Sequence, residues 1–178
     1  MQTATYDLRV VHEPADRRVP WAKIEEEGLA RVVMFHKLNP CLLDWLEAVN
    51  PASAVQINAY DQGTLCGVAW VNPICGLSGC AHGCIFRRWR HDADNLGRQA
   101  IQMLFEDFNF ASLWALLPAR YRHMTAQAER WGFQFYERHI QQAMPMPKTG
   151  KSGRCVDGLF GLLARDDFIK GNENGWSY

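Results

Sequence analysis

Residues 87–98 combine positive charge with a helix start, so this stretch is well suited to bind an anion. Asp94 is a residue type that caps helix N-termini, and Gly97 would let a ligand approach the backbone closely. Free N–H groups and the positive end of the helix dipole form an anion site at such a start. We therefore expect a phosphate-bearing cofactor; a capped helix with a solvated basic surface is the alternative. The basic residues are Arg87, Arg88, Arg90 and Arg98.

A second group of reactive side chains, Cys80, His82 and Cys84, alternates along a short apolar segment. Alternate strand residues share a face but stand about 6.5–7 Å apart, which is wide for joint ligation of one zinc ion, so we expect no metal. His82 is the candidate base because histidine titrates near neutrality; a packed core histidine is the alternative. Cys84 would need a lowered pKa to act as a nucleophile, and its strand neighbours are poorly aimed at it.

The apolar spacing predicts the elements that position these groups. A helix is predicted from about residue 94, with Gly97, Ile101, Leu104, Phe105 and Phe108 on one face. The unbroken apolar run 112–117 predicts a strand covered on both sides, which makes a right-handed βαβ unit with parallel strands around the helix. Residues 55–71 predict an antiparallel hairpin ahead of this unit, and the whole is expected to be an α/β fold with a mixed sheet.

Further elements are predicted on either side of this unit. An N-terminal strand is expected to be followed by helices beginning at Pro20 and Pro40. After the βαβ unit a helix begins at Pro118 and ends with Gly132 at C′, and a strand follows. Residues 144–154 predict a mobile loop. Gly150-Lys151-Ser152 lacks the earlier glycine of a phosphate loop, because position 145 is proline.

The order strand, phosphate-friendly turn, helix, strand, helix and then Gly132-Phe133 resembles the GNAT N-acetyltransferase superfamily, in particular its divergent phage and prophage members. The segment from Val156 to Phe168 is similar to the last strand of that family and its ending. The resemblance covers roughly residues 53–168. It implies a mostly antiparallel mixed sheet with a central parallel strand pair and helices on both faces. It also implies acetyl-CoA, with helices after the first strand bordering the acceptor site.

The resemblance also assigns roles to individual residues. Pantetheine is expected beside the strand and pyrophosphate at the helix start, with cofactor-binding residues Cys84, Ile85, Phe86, Arg87, Asn95, Leu96, Gly97 and Arg98. Of the usual phosphate-loop pattern only Gly97 fits, since Asp94 and Gln99 occupy the flanking places. The tyrosine that acts as general acid four residues before the family's glycine is replaced by Ala128. We expect Tyr121 or Tyr136 to substitute for it, with His82 as base and a backbone N–H of the strand polarising the carbonyl.

Composition sets the broad class of the protein. The chain has 178 residues and no net charge, which argues against general nucleic-acid binding. We expect one GNAT-like domain over residues 1–168 and a polar tail over 169–178. No apolar run reaches membrane-spanning length and no signal peptide is evident, so a cytoplasmic location is predicted. The six cysteines lie mostly in apolar segments and are expected to be reduced.

Three functions follow from these observations. The first is an acetyl-CoA-dependent N-acetyltransferase of unknown amine acceptor. The second is a catalytically inactive GNAT-like phage or prophage assembly or scaffold protein, compatible with the missing acid and with a phage structural partner. The third is a cysteine–histidine hydrolase, for which residues exist but no motif. The chain could also form a homodimer. The first two functions share a fold, so ligand binding has to separate them.

Overall fold

The computed structural model describes residues 4–136, 139–148 and 151–174. The strands are β1 (Asp7–Val10), β2 (Val55–Asp61), β3 (Thr64–Cys75), β4 (Ser78–Ile85), β5 (Ser112–Pro118), β6 (Gln134–Phe135), β7 (Ile140–Lys148) and β8 (Lys151–Ala164). The helices are α1 (Pro14–Glu26), α2 (Ala30–Val33), α3 (Leu42–Ala48), α4 (Ala93–Asp107), α5 (Arg122–Arg130) and α6 (Arg165–Asn174), and a 3₁₀ helix spans Arg87–Asp92.

The strands form one mixed sheet in the order β1-β2-β3-β4-β5-β8-β6, with β7 also pairing with β8. Among the described strands, only β4 and β5 pair in parallel, and every other pairing is antiparallel. The predicted sheet, mostly antiparallel with a central parallel pair, is therefore confirmed. The parallel pair is joined through α4, as the apolar spacing of that helix predicted.

Two hydrophobic cores lie on opposite faces of the sheet, because neighbouring strand residues point to opposite sides. Trp70 of β3 packs with Trp21 and Trp45 of α1 and α3, whereas Val71 packs with Phe105 of α4 and Phe168 of α6. Each fully buried side chain of this size contributes about 1.5–3 kcal/mol to stability. Helices consequently cover both faces, with α1–α3 on one and α4–α6 on the other.

The first helix begins earlier than predicted, at Pro14, and Pro20 lies within it. A proline inside a helix leaves the carbonyl four residues earlier without its usual N–H partner. Here that carbonyl belongs to Asp16, and the side-chain amide of the buried Asn58 donates to it at 3.4 Å. The sheet therefore compensates for the interruption. The helix ends at Glu26, and the chain then turns at Gly28, whose φ of +68° favours glycine.

The C-terminal part also differs from the prediction. The stretch 144–154, predicted as a mobile loop, lies mainly in β7 and β8, and Gly150 lies outside the described residues. β8 pairs with β5, β6 and β7, so long-range pairing outweighs the local proline content. α6 continues to Asn174, so the described beginning of the predicted tail is helical. In the described part of the chain, no helix has the length and apolar content needed to cross a membrane.

Candidate functional site

The parallel strands β4 and β5 separate near the middle of the sheet. Their register pairs Ser78, Gly79 and Cys80 with residues 112–114 and then stops, although β4 continues to Ile85. Gly83 is exposed even though it lies in a central strand, and a Cβ at this position would meet only the carbonyl oxygen of Val68, at 3.7 Å. Open space therefore lies beside β4 where the two strands part.

Helix α4 follows the carboxyl end of β4 after the 3₁₀ helix Arg87–Asp92. Its N-cap is Asp92 rather than the predicted Asp94, and Asp92 makes no side-chain capping hydrogen bond. Asp92 instead accepts a hydrogen bond from the hydroxyl of Tyr6, at 2.6 Å. No side chain caps the first turn of α4, although the amide of Ala93 donates to the carbonyl of Arg90 in the preceding 3₁₀ helix. The exposed Arg87, Arg88 and Arg90 lie just before this turn.

Asp94 joins α4 to the end of α5 instead of capping its own helix. Arg130 donates to its carboxylate at 2.9 Å and Gln127 also donates to it. Burial opposes ionisation of Asp94, but these hydrogen bonds and the charge of Arg130 lower its pKa. The prediction of Asp94 as N-cap is wrong because a partner 36 residues away binds the side chain.

Gly97 was predicted to give a ligand close access to the backbone, but the indole of Trp131 occupies that position. A Cβ on Gly97 would lie 2.2 Å from Cε2 of Trp131, and the indole N–H donates to the carbonyl of Ala93 at 3.1 Å. The glycine therefore allows close packing of α4 against α5. A bound phosphate would have to meet the amides nearer the helix start.

The other predicted cofactor-binding residues differ in how accessible their side chains and amides are to a ligand. Cys84, Phe86 and Leu96 are buried, so their side chains are enclosed by protein. The amide of Phe86 donates to the carbonyl of Cys66, and the amide of Arg87 donates to Glu27 at 2.9 Å. The remaining members of the set are only partly enclosed: Ile85, Asn95 and Arg98.

His82 lies on the α1–α3 face of β4, stacked on Trp70 with ring centroids 5.0 Å apart. Its Nε2 is 2.8 Å from the carbonyl oxygen of Asn72. A carbonyl only accepts hydrogen bonds, so Nε2 carries the proton and Nδ1 holds the lone pair. Burial lowers the pKa of His82, and Nδ1 has no hydrogen-bond partner among the described residues. A neutral imidazole that can accept a proton results.

The two predicted tyrosines, Tyr121 and Tyr136, lie beside different strands of the sheet. The amide of Tyr121 donates to the carbonyl of Pro118 at 2.8 Å, which places the residue at the carboxyl end of β5. Its hydroxyl accepts from Arg120 at 3.1 Å, so the O–H remains free to donate. Tyr136 is 56% exposed beside β6, three strand spacings, or roughly 14 Å, from β4. Tyr121 therefore lies at the end of the strand adjacent to β4, whereas Tyr136 lies beside a strand that is not adjacent to it.

The thiols near His82 are unsuited to nucleophilic chemistry. Burial raises the pKa of Cys80 and of Cys84 to about 12, so both are protonated at neutral pH. The cysteine–histidine hydrolase hypothesis thus has no activated thiol on this strand. No group of three His, Cys, Asp or Glu side chains in the described residues is arranged to hold a metal ion.

A cleft of about 400 Å³ opens beside His82, between β3–β4 and the helical segment that precedes β2. Charged side chains from α3 and the turn before it line this cleft, and sequence reasoning identified none of them. In the sequence, the only indication was the i, i+3 spacing of Asp44 and Glu47, which places these two side chains on one helix face. The titratable lining residues are His36, Lys37, Asp44, Glu47 and His82.

No protein-family model and no curated protein matches the sequence. Among solved structures, a spermidine N-acetyltransferase from Vibrio cholerae in complex with CoA and spermine is similar, with a TM-score of 0.72 at 15% identity. The match covers 92% of this chain and 98% of that one. A chimera of that Vibrio cholerae enzyme and hSSAT also gives 0.72 at 16% identity, over 93% and 99% of the two chains.

The fold is that of the GNAT acetyltransferases. At this identity the match establishes the architecture, and the roles of side chains must be argued from this chain. The candidate site consists of the edge of β4 beyond Cys80, the start of α4, and the cleft beside His82 on the other face. The opening beside Gly83 and the cleft beside His82 therefore lie on opposite faces of β4.

Proposed function

We propose that this protein is an acetyl-CoA-dependent N-acetyltransferase that transfers the acetyl group directly to an amine. The observation that carries the proposal is the separation of β4 from β5 beside the exposed Gly83. A glycine in the interior of a central strand weakens the strand and is typical of a place where a ligand approaches the backbone. Support also comes from the similar structure, which was solved with CoA and spermine.

The donor fits the residues present. The missing side chain of Gly83 leaves room for an extended chain along β4, and the amides at the start of α4 with Arg87, Arg88 and Arg90 suit a pyrophosphate. Acetyl-CoA supplies an acetyl group activated as a thioester. An N–H on the edge of β4 that β5 no longer pairs polarises the carbonyl.

Two side chains move the protons. His82 accepts the amine proton at Nδ1, because its Nε2 is already bound to the carbonyl of Asn72. Tyr121 donates its hydroxyl proton to the leaving sulfur, in place of the tyrosine that the GNAT resemblance places where Ala128 stands. Ala128 is buried in the core beside Phe133 and has no group that could act as an acid.

That alanine favours a second candidate, a GNAT-fold protein with a non-catalytic assembly role. The opening beside β4 is present in either case, so binding of acetyl-CoA alone does not separate the two candidates, and acetylation of an amine has to be measured as well. The phage or prophage type stays a prediction from sequence resemblance.

The test is to incubate the protein with acetyl-CoA and a panel of primary amines and to quantify acetylated product by mass spectrometry. A thiol reagent is unsuitable for detecting released CoA because Cys41, Cys75 and Cys155 are exposed. We expect product, with kcat lowered about 10²-fold by Tyr121→Phe and little changed by Tyr136→Phe. Binding of acetyl-CoA without acetylation of any amine would instead support the non-catalytic role.

A further inference from the structure

The imidazole of His82 is held in two ways, and both lead back to helix α3. Its Nε2–H donates to the main-chain carbonyl of Asn72 at 2.8 Å. Its ring face stacks on Trp70, with an angle of 11° between the two planes. Trp70 in turn packs edge-to-face against Trp45 of α3, with ring centroids 5.1 Å apart. The face of the imidazole is therefore supported through α3.

The side chain of Asn72 makes a second connection to the same helix. Its Nδ2 donates to the carbonyl of Ala48 at 2.8 Å. Ala48 is the last residue of α3, and the last four carbonyls of a helix have no N–H partner within the helix. Asn72 thus satisfies one of these carbonyls and ties β3 to the end of α3, at the residue whose own carbonyl binds His82.

The sheet is irregular at Asn72. The register of β3 and β4 shifts between Val71 and Ile74. Within this β-bulge, Asn72 and Pro73 of β3 together stand opposite Cys80 of β4. A bulge interrupts the ladder locally, and bulges are frequent next to active sites, where they redirect a group. The carbonyl that binds the imidazole therefore lies where the main chain of β3 departs from regular pairing.

We infer that Asn72 is a positioning residue for the proposed reaction: its side chain ties β3 to the end of α3, and its carbonyl, fixed by this tie, keeps the proton of His82 on Nε2 and leaves Nδ1 as the basic nitrogen. This inference rests on the proposed function, in which His82 is the base. The hydrogen bond made by one ring nitrogen decides which nitrogen carries the proton. A base must also lie within hydrogen-bond reach of the proton that it accepts, so the ring has to be held in place.

Loss of the side-chain bond should release the imidazole. A helix-end carbonyl without a protein partner takes water instead. Water between the end of α3 and β3 would let the two move apart, and the carbonyl of Asn72 would move away from Nε2. The effect on the reaction would then come through His82, since Asn72 itself contacts no reacting atom in this account.

The experiment is proton NMR of the full-length protein with isotopically labelled histidine, and His82→Gln assigns the signal. Asn72→Leu removes the donor at nearly constant shape, and Asn72→Ala removes the whole tie while leaving space for water. Asn50→Leu is the matched control, because Asn50 also lies at the end of α3 and its side chain accepts from the amide of Ala52 at 3.1 Å.

In the wild-type protein the hydrogen-bonded Nε2 proton of His82 should exchange slowly enough to give a resolved resonance. We expect Asn72→Leu and Asn72→Ala to lose this resonance and Asn50→Leu to keep it. In the acetylation assay, both Asn72 variants should lower kcat about tenfold or more and leave KM for acetyl-CoA unchanged, because the opening beside β4 is untouched.

Two results would overturn the inference. One is an intact Nε2 proton resonance in either Asn72 variant, and the other is its equal loss in Asn50→Leu, which would show that any loosening of α3 has this effect. If Asn72→Leu does not fold, Asn72→Ala decides. The proposed function fails by a different observation, the absence of acetylated amine with the wild-type protein. Because the resonance is measured without substrate, the hold of Asn72 on His82 is tested separately from the reaction.

Discussion

Replacing Gly83 by valine should close the proposed donor site without damaging the fold. A Cβ at this position has only one neighbour within 4 Å, the Val68 carbonyl oxygen at 3.7 Å, which is ordinary contact. Valine also suits a strand better than glycine by up to about 1 kcal/mol. We therefore expect the melting temperature of Gly83→Val to equal or exceed that of wild type, whereas its side chain fills the space beside β4.

The assay is thermal unfolding with and without acetyl-CoA. At a hundredfold excess over the dissociation constant, a ligand stabilises the folded state by about 2.7 kcal/mol. For a chain of this size each kcal/mol raises the melting temperature by about 2–4 °C, so wild type should shift by about 5–11 °C. Gly83→Val should show no shift at the same concentration.

Gly79→Ala is the matched control on the same face of β4. Its Cβ would lie 2.2 Å from Cγ1 of Val71, which is fully buried, so overpacking should cost about 1–3 kcal/mol. We expect this variant to melt earlier and still respond to acetyl-CoA. A full ligand shift in Gly83→Val would refute the assignment of the β4 opening as the donor site.

Three further predictions concern neighbouring groups. Gly97→Ala should lower the free energy of unfolding by about 1–3 kcal/mol, measured by urea denaturation, because the added Cβ overlaps the indole of Trp131; an unchanged midpoint would contradict that packing. Burial lowers the pKa of His82 from its ordinary 6.5, so its contribution to stability is present above pH 6.5 and is lost as the pH falls through the folded-state pKa. His82→Gln should therefore make the urea midpoint depend less on pH. An identical pH dependence in the variant would contradict the burial effect. In the native protein a thiol-directed reagent should label Cys75 and Cys155 well before Cys80 and Cys84, as peptide mapping would show, because burial raises the pKa of the latter two to about 12; early labelling of Cys84 would revive the hydrolase hypothesis.

The elements that local pattern specifies were predictable from the sequence. The apolar spacing of α4 is matched by burial of Ile101, Leu104 and Phe105, and the run 112–117 is matched by β5. Gly132 follows the C-cap Trp131 with a φ of +97°, the conformation that a glycine at C′ supplies. These features depend on residues close in sequence, so period and propensity identify them.

What the sequence could not reveal depends on distant partners. Pro20 is tolerated in α1 because Asn58 donates to the carbonyl of Asp16. Asp94 leaves the capping role because Arg130 binds it. The proline-bearing stretch after residue 144 forms strands because β8 holds it in the sheet.

The cleft charges escaped prediction for the same reason. Asp44 and Glu47 have equivalent places on one helix face, but Lys37 pairs with Asp44 and leaves Glu47 without an ionic partner among the described residues. Only the folded chain distinguishes the two carboxylates.

Isothermal titration of acetyl-CoA into wild-type protein tests the central claim most directly. A single site per chain, with a negative heat-capacity change from apolar burial, is the result we predict. Absence of binding heat up to millimolar acetyl-CoA, at two temperatures, would contradict it.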